Sequence, residues 1–437
     1  MKTGRAFNPD FVRVVQGGEL RSSVTTDQGE IRLPSGWTLS RFGDHFDVSM
    51  GQTILSKDTG ESGHGMLPVY SATEKMAVFG HVPEGVVSKN KRLSAGDLVI
   101  GARGSLGFPK LMDGPSVSTQ TTLQAKARGG FLAELFIHMS RQAKNSFFAS
   151  SGTGVPMLTV TQVENIQLIT PPLEDQKILA SFLSVIQGQA DDLREAANLE
   201  RKRLAWLMDV LLSGMIRIEA KAGSEDETAL LSMVRGDHGQ SVILNQREVQ
   251  IPIGWRVAPL GQEARVSKGK QVDFPVEKIL TEAKPYAYIN GGRSPSGYSD
   301  HQNTPGGAVA VSEGGASAGF VQFVRDPWWC GGHCYAVISE VHHTPAIYWM
   351  LKQAEQDLMG KKEGTGLPNL KSASVNDLEL IWPPRDEQIR IAKVLDLQQA
   401  QIDDLDTLAN LEEQRLDWLR GELLSGRLRV VLDPTTP

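Results

Sequence analysis

Cysteine is almost absent. The 437 residues hold two, Cys330 and Cys334, which excludes a disulfide framework and fits a reducing compartment. Aromatic residues are few, at 6%. No apolar run approaches the ~18 residues of a membrane span. The opening MKTGRAFNPDFVRVV lacks the apolar core of a secretion signal. A soluble, cytoplasmic protein without a membrane partner is expected. The tools of catalysis are also missing. There is no G-x-x-x-x-G-K-[ST] to cradle a nucleotide and no G-x-G-x-x-G between a strand and a helix. The two Pro-Pro pairs follow Thr170 and Trp382, not an acidic or amide residue, and precede helical sequence. That removes a reading as the catalytic loop of an amino-methyltransferase. Glu282-Ala-Lys284 with Asp273 upstream only faintly echoes a metal-nuclease triad. His342-His343 has no second ligand pair, and Cys330-Gly-Gly-His-Cys334 has no matching cysteine pair elsewhere. No bound cofactor and no metal are expected, and buried free thiols are the better reading of the cysteines.

Length suggests two to four domains, each able to bury its own core. Net charge is -6, which taken globally weighs against a nucleic-acid binder. Residues 31–170, however, carry a net charge of +3 and residues 249–382 a net charge of -1. The acidic excess lies outside these two blocks, so basic loops within them can still meet phosphates.

The chain is an internal repeat. From Pro171-Pro172 and Pro383-Pro384, 212 residues apart, two 48-residue stretches match without a gap at 23 positions. Upstream at the same offset, GTGVPMLTV lies over GTGLPNLKS, and LPSGW (33–37) is echoed by IPIGW (251–255). Apolar residues in the 48-residue stretches step 4-3-4-3. The seam holds Leu183, Ile186, Leu193, Leu204, Leu207 and Leu211 in the first copy, and Leu395, Ile402, Leu405, Leu416, Leu419 and Leu423 in the second. That spacing predicts two coiled-coil helices of roughly 60 Å. Pro-Pro suits their start and Ser-Gly their stop. Glu200 and Glu412 recur at one seam position, where a polar residue fixes register. An antiparallel pairing of the helices would give pseudo-twofold symmetry.

The expected architecture is α+β. A 1–30 N-terminal extension precedes a β-rich block at 31–170, a helix at 171–218 and a flexible acidic linker at 219–248. A second β-rich block at 249–382 and a second helix at 383–430 follow. Short runs such as Asp97–Ile100, Ala308–Val311, Phe320–Val324 and Tyr335–Ile338 predict strands. Phe131–Lys144 and Pro345–Met359 predict a helix near the end of each block.

Loops between these runs combine glycine, which lets backbone approach a ligand, with side chains that hydrogen-bond phosphates and base edges. In the first block the candidates are Tyr70, Ser71, Thr73, Lys89, Lys91, Arg92, Arg103, Ser105, Thr119, Gln120 and Thr121. In the second they are Gly291, Gly292, Arg293, Ser296, Tyr298, Gly315, Ser317, Trp329, His333, Lys361 and Lys362.

P-P-x-x-[DE]-Q opening a long helix that ends L-L-S-G, present twice, resembles the specificity subunit of type I restriction–modification enzymes. YINGGRSPSGY, SEGGASAGFVQF, WWCGGHCYAV and GTG-[VL]-P-x-L are similar to that family's target-recognition domains. The first block departs from the pattern, with VYSATEKMAVFGHV in place of the glycine-rich loop. The resemblance implies two target-recognition domains, each reading half of a bipartite duplex DNA target. They would be spaced by helices that dock two methyltransferase subunits. S-adenosylmethionine and catalysis would reside on those partners, with restriction subunits joining them, and this chain would be non-catalytic. The residues alone leave open a recognition subunit of another restriction–methylation type, or a two-headed protein adaptor.

Overall fold

The computed structural model describes residues 12–432 apart from 18–19, 27–28, 74–75, 105, 143–147, 149–156, 221–230, 238, 245–246 and 364–368. Both GTG-[VL]-P motifs and Ser105 lie outside the described residues. The chain forms two units. One comprises Met1–Arg194 with Thr407–Pro437, the other Glu195–Asp406.

The duplicated stretches are helices of 40 residues each, Leu173–Leu212 and Arg385–Leu424. Each starts directly after its Pro-Pro pair, since proline cannot donate to a preceding turn but suits a first one. Each stops at a glycine in the left-handed region, Gly214 (φ 77°) and Gly426 (φ 75°). A Cβ there would meet Pro252 Cγ at 2.4 Å or Pro34 Cγ at 2.2 Å, so glycine is required twice over. Both helices contribute one half to each unit. In the first unit Gln187 meets Arg420 and Arg194 meets Glu413. In the second, Glu200 meets Gln398 at 2.7 Å and Arg201 meets Asp406. Within each unit the helix halves therefore run antiparallel. Leu183, Ile186, Leu204, Leu207, Leu211, Leu395, Ile402, Leu416, Leu419 and Leu423 are buried along the seam. Leu193 and Leu405 are half-buried. The recurring glutamates differ: Glu200 accepts from Gln398, whereas Glu412 pairs with Arg415 on its own helix.

The motif residues prove to be joints. Gln176 donates to Pro171 O (2.8 Å) and Gly130 O (3.1 Å) and accepts from Leu132 N (2.8 Å). Gln388 donates to Pro383 O (2.8 Å) and accepts from His343 N (3.0 Å). The acidic residue before each glutamine receives the indole N–H of the GW motif: Trp37 to Asp175 at 3.1 Å, Trp255 to Glu387 at 2.9 Å. An arginine just past the other helix completes each joint, Arg429 at 3.5 Å from Asp175 and Arg217 at 2.8 Å from both Glu387 oxygens. A few polar residues, with Gln176, Glu387 and Gln388 fully buried among them, thus tie helix start, helix end and block entrance together, since buried amides and carboxylates need partners.

The β-rich blocks share one plan. The first block has a four-stranded antiparallel sheet in the order Phe46–Met50, Thr122–Ala127, Leu98–Gly101, Lys110–Leu111. The second has Arg265–Lys268, Cys334–Ile338, Ala308–Ser312, Val321–Val324. Beside each lies a three-stranded sheet with one parallel pair, Val117–Ser118 on Met66–Tyr70 and Trp328–Cys330 on Tyr286–Ile289. Helix Ala133–Gln142 packs in the first core. The expected second-block helix is broken at Ala354 into Thr344–Gln353 and Glu355–Gly360. Cys330 and Cys334 are buried free thiols, and the contact with Cys330, followed by burial, pushes the Cys334 thiol up.

Two expected boundaries are corrected. The supposed linker 219–248 carries strands: Leu231–Arg235 pairs with Ile216–Ala220, and Gln240–Leu244 with Arg247–Ile251. The supposed extension 1–30 is its counterpart. Val12–Gln16 pairs with Leu428–Leu432, and Leu20–Thr26 with Gly29–Pro34. These strands form two-stranded ribbons, and their sequences lack the alternation that marks a half-buried strand. Boundaries 30/31 and 248/249 each cut through a strand.

Candidate nucleic-acid interface

In the second unit, loops that leave the strand ends converge on the turn Gly331-Gly332-His333. Gly332 sits where a Cβ would strike the Gln271 side chain, and a Cβ on Gly331 would strike Asn290 Oδ1 at 2.5 Å. His333 N donates to Asn290 Oδ1 (3.0 Å) and His333 O accepts from Glu313 N (2.9 Å). Gly291, at φ 86°, lies under His333 O, where a Cβ would stand at 2.6 Å. Only glycine combines that dihedral with that approach. The structure therefore brings Gly291, Gly292 and His333 together, and Trp329 leads into the turn with its indole donating to Lys270 O (2.9 Å). Phe274 stacks on His301 and meets Trp329 edge-on.

The other second-unit candidates make separate local contacts. The exposed Arg293 guanidinium lies 5.0 Å over the Phe320 ring, with Lys352 4.7 Å from it. Gly315 and Ser317 form a 3-10 turn whose Ala316 O accepts from Lys362 (3.4 Å). Lys361 is half-buried beside it in sequence. Ser296 and Tyr298 serve the sheet instead: Ser296 N donates to Tyr288 O, and Tyr298 bridges Glu277. Burial raises the Tyr288 phenol.

In the first unit the equivalent convergence is uncharged. Thr119 Oγ1 lies 2.7 Å from Thr121 Oγ1 and 3.2 Å from Ser71 Oγ, and Ser71 lies 3.3 Å from Thr121. Gln120 accepts from Thr53 (2.9 Å). Arg103 borders the cluster, its Nε 3.0 Å from Met157 Sδ. Tyr70 is half-buried beneath Lys110, 4.8 Å from its ring, and burial followed by Asp113 raises its phenol. Thr73 caps the next turn by accepting from Ala77 N. The basic run is divided. Lys89 is exposed, Lys91 donates to Met50 O (2.7 Å), and Arg92 is spent on Glu84. Two of these three cations are therefore structural, because intramolecular acceptors already hold them.

Sequence reasoning missed Lys268, Gln271, Asn290 and Glu313 in the second unit and Gln52 and Thr53 in the first. The search favoured basic and glycine-rich loops, whereas these residues stand at strand ends. The signal available was Glu313 itself, an acid inside the glycine-rich Ser312–Gly319 stretch. Among the described residues no group of three or more His, Cys, Asp or Glu side chains is placed to hold a metal ion. None of the described helices is long and apolar enough to cross a membrane.

Comparison with known proteins agrees with this arrangement. The family model described as the type I restriction modification DNA specificity domain matches twice, at residues 34–200 and 252–415. The specificity subunit of the type I restriction enzyme MjaVIII of Methanocaldococcus jannaschii is 22% identical over 253 residues, covering 56% of this chain and 53% of that protein. The chain spans about half the length of the curated relatives it matches. A crystal structure of the S subunit of a type I restriction-modification system from M. genitalium superposes with a TM-score of 0.58 at 15% identity, covering 90% of this chain and 96% of that one. That likeness shows a shared fold. With the family model matched over both β-rich blocks and the greater part of both long helices, the chain belongs to the type I restriction–modification specificity subunit family.

Proposed function

We propose that this chain is the non-catalytic DNA-reading subunit of a type I restriction–modification enzyme, each unit reading one half of a bipartite duplex target. The observation that carries this is a contrast on a common frame. Both units gather strand-end loops at the same place, but one presents Ser71, Thr119 and Thr121 and the other Lys268, Glu313 and His333. A frame kept while its contact residues change suits two heads that read different base sequences. The two long helices act as the spacer between half-targets, because a 40-residue helix is stiff and long, about 60 Å.

The helices also offer the docking faces for two methyltransferase subunits, which carry S-adenosylmethionine and to which restriction subunits are added. Asn198, Leu199, Arg203 and Trp206 recur as Asn410, Leu411, Arg415 and Trp418, and all eight are exposed. Exposed neighbours such as Lys202 and Gln414 are not kept. Leu199, Arg203 and Trp206 step i, i+4, i+7, so they share one helix face. The same leucine–arginine–tryptophan face presented twice suits two copies of one partner, with tryptophan as its anchor. The test is methylation-site mapping of the chain with its methyltransferase partner. A split target with a fixed spacer supports the reading, and sequence-independent methylation or none would overturn it.

A further inference from the structure

We propose that Glu313 is a positioning residue that fixes Lys268 and His333 as the base-reading pair of the second head, with guanine as the base Lys268 reads. This rests on the DNA-reading function proposed above. Glu313 lies at the end of strand Ala308–Ser312, with its side chain only 5% exposed. Lys268 Nζ donates to Oε1 at 2.5 Å, the Tyr335 hydroxyl lies 3.0 Å from the same oxygen, and His333 Nδ1 lies 3.6 Å from Oε2. Burial, followed by the Glu313 contact, holds the Tyr335 phenol well above its ordinary value, so it remains a neutral donor. The two cationic or ionisable partners are more than half exposed, at 54% for Lys268 and 57% for His333. One buried carboxylate therefore holds the Lys268 ammonium and faces the His333 ring 3.6 Å away.

The first unit shows that the fold does not need this carboxylate. Glu313 N donates to His333 O (2.9 Å) as Ala102 N donates to Thr121 O (2.9 Å), and Leu370 N donates to Glu313 O (2.8 Å) as Leu158 N donates to Ala102 O (2.9 Å). Tyr335 pairs with Lys268 across the sheet as Leu123 pairs with Met50. Ala102, Leu123 and Met50 thus occupy the places of Glu313, Tyr335 and Lys268. Three positions are apolar together in one copy and polar together in the other, on one backbone plan. A buried charge is a poor route to stability when apolar residues fill the same place. The polar set belongs to what the second head binds.

The chemistry selects the ligand. With one Lys268 proton on Glu313, its remaining two N–H groups face outward. Paired donors on a lysine suit the O6 and N7 acceptors of guanine in the major groove. His333 turns Nδ1 toward Glu313, and its Nε2 lies 3.5 Å from Gln271 Nε2 at the exposed edge of the turn.

The test is methylation-site mapping of the complete enzyme assembled with wild-type chain, Glu313→Gln, Glu313→Asp, and the triple variant Lys268→Met/Glu313→Ala/Tyr335→Leu. The triple variant copies a combination the first unit already packs, so it guards against simple misfolding. The expected result is that the second half-target contains a G·C pair whose discrimination falls about 10- to 100-fold in Glu313→Gln and in the triple variant. Glu313→Asp should recover part of it, and the first half-target should be unchanged. A second half-target without any G·C pair, or one read identically by Glu313→Gln, overturns the proposal. If the wild-type assembly reads no bipartite target at all, the parent reading fails instead.

Discussion

Removing the carboxylate of Glu387 should loosen the second unit far more than removing Asp175 loosens the first. Glu387 is buried and holds two contacts, the Trp255 indole at 2.9 Å and a two-point pairing with Arg217 at 2.8 Å. In Glu387→Ala the buried indole N–H is left without an acceptor, which costs about 1–3 kcal/mol. Arg217 is 31% exposed and regains water, so its lost pairing adds only about 1 kcal/mol. The expected total is about 2–4 kcal/mol. Asp175 is more open, with its contacts at 3.1 and 3.5 Å, and Asp175→Ala should cost about 1 kcal/mol. Because a two-unit protein need not melt in one step, hydrogen exchange is the assay. Amides of Arg256, Val257 and Ala258 and of the first turns of the second long helix should exchange about 30- to 1,000-fold faster in Glu387→Ala. Amides of Thr38–Arg41 should be unaffected by that substitution. Equal acceleration in both units, or none near Trp255, would refute the reading of these motifs as local joints.

Two further outcomes follow from the helices. His138 is buried against Ser184, and burial first, then Arg420 and Arg141, holds its imidazole down to about 3. Since the unfolded value lies near 6.5, this histidine's contribution to stability is full above that pH. It is lost as pH falls, at about 1.4 kcal/mol per pH unit between about 6.5 and 3. Urea titrations of the first unit at pH 6.5 and 5 should show about 2 kcal/mol less pH sensitivity in His138→Gln than in wild type. Identical slopes would remove His138 as the cause. Separately, Trp206→Ala or Trp418→Ala should each weaken one methyltransferase copy by about 2 kcal/mol, roughly 30-fold, and the double variant both. Native mass spectrometry would read the stoichiometry, and two retained partners in the double variant would place docking elsewhere.

The repeat, the helices and the strands flanking the loops were legible because they follow periodicity. The 4-3-4-3 spacing yields two 40-residue helices, and Ala308–Val311 is a buried strand. The ribbon strands around 231–251 and 12–34 were not legible, since each ribbon has only two strands and their sequences carry no period-two apolar alternation. Within the second unit, glycines such as Gly291 pointed to loops that do approach one another closely, because close approach demands them. Arg92 and Lys91 misled, because a cation in sequence does not reveal whether an acceptor such as Glu84 or Met50 O already holds it. Glu313 was passed over because its role depends on Lys268 and Tyr335, which arrive from two other strands.

The central claim is that each unit reads its own half of one target. Exchanging residues 31–170 for the equivalent block of a relative, then mapping methylation sites of the assembled enzyme, tests it most directly. One half-target should change while the other half-target and the spacer stay as they were. A chimera that remains active but alters both half-targets, or neither, would contradict it.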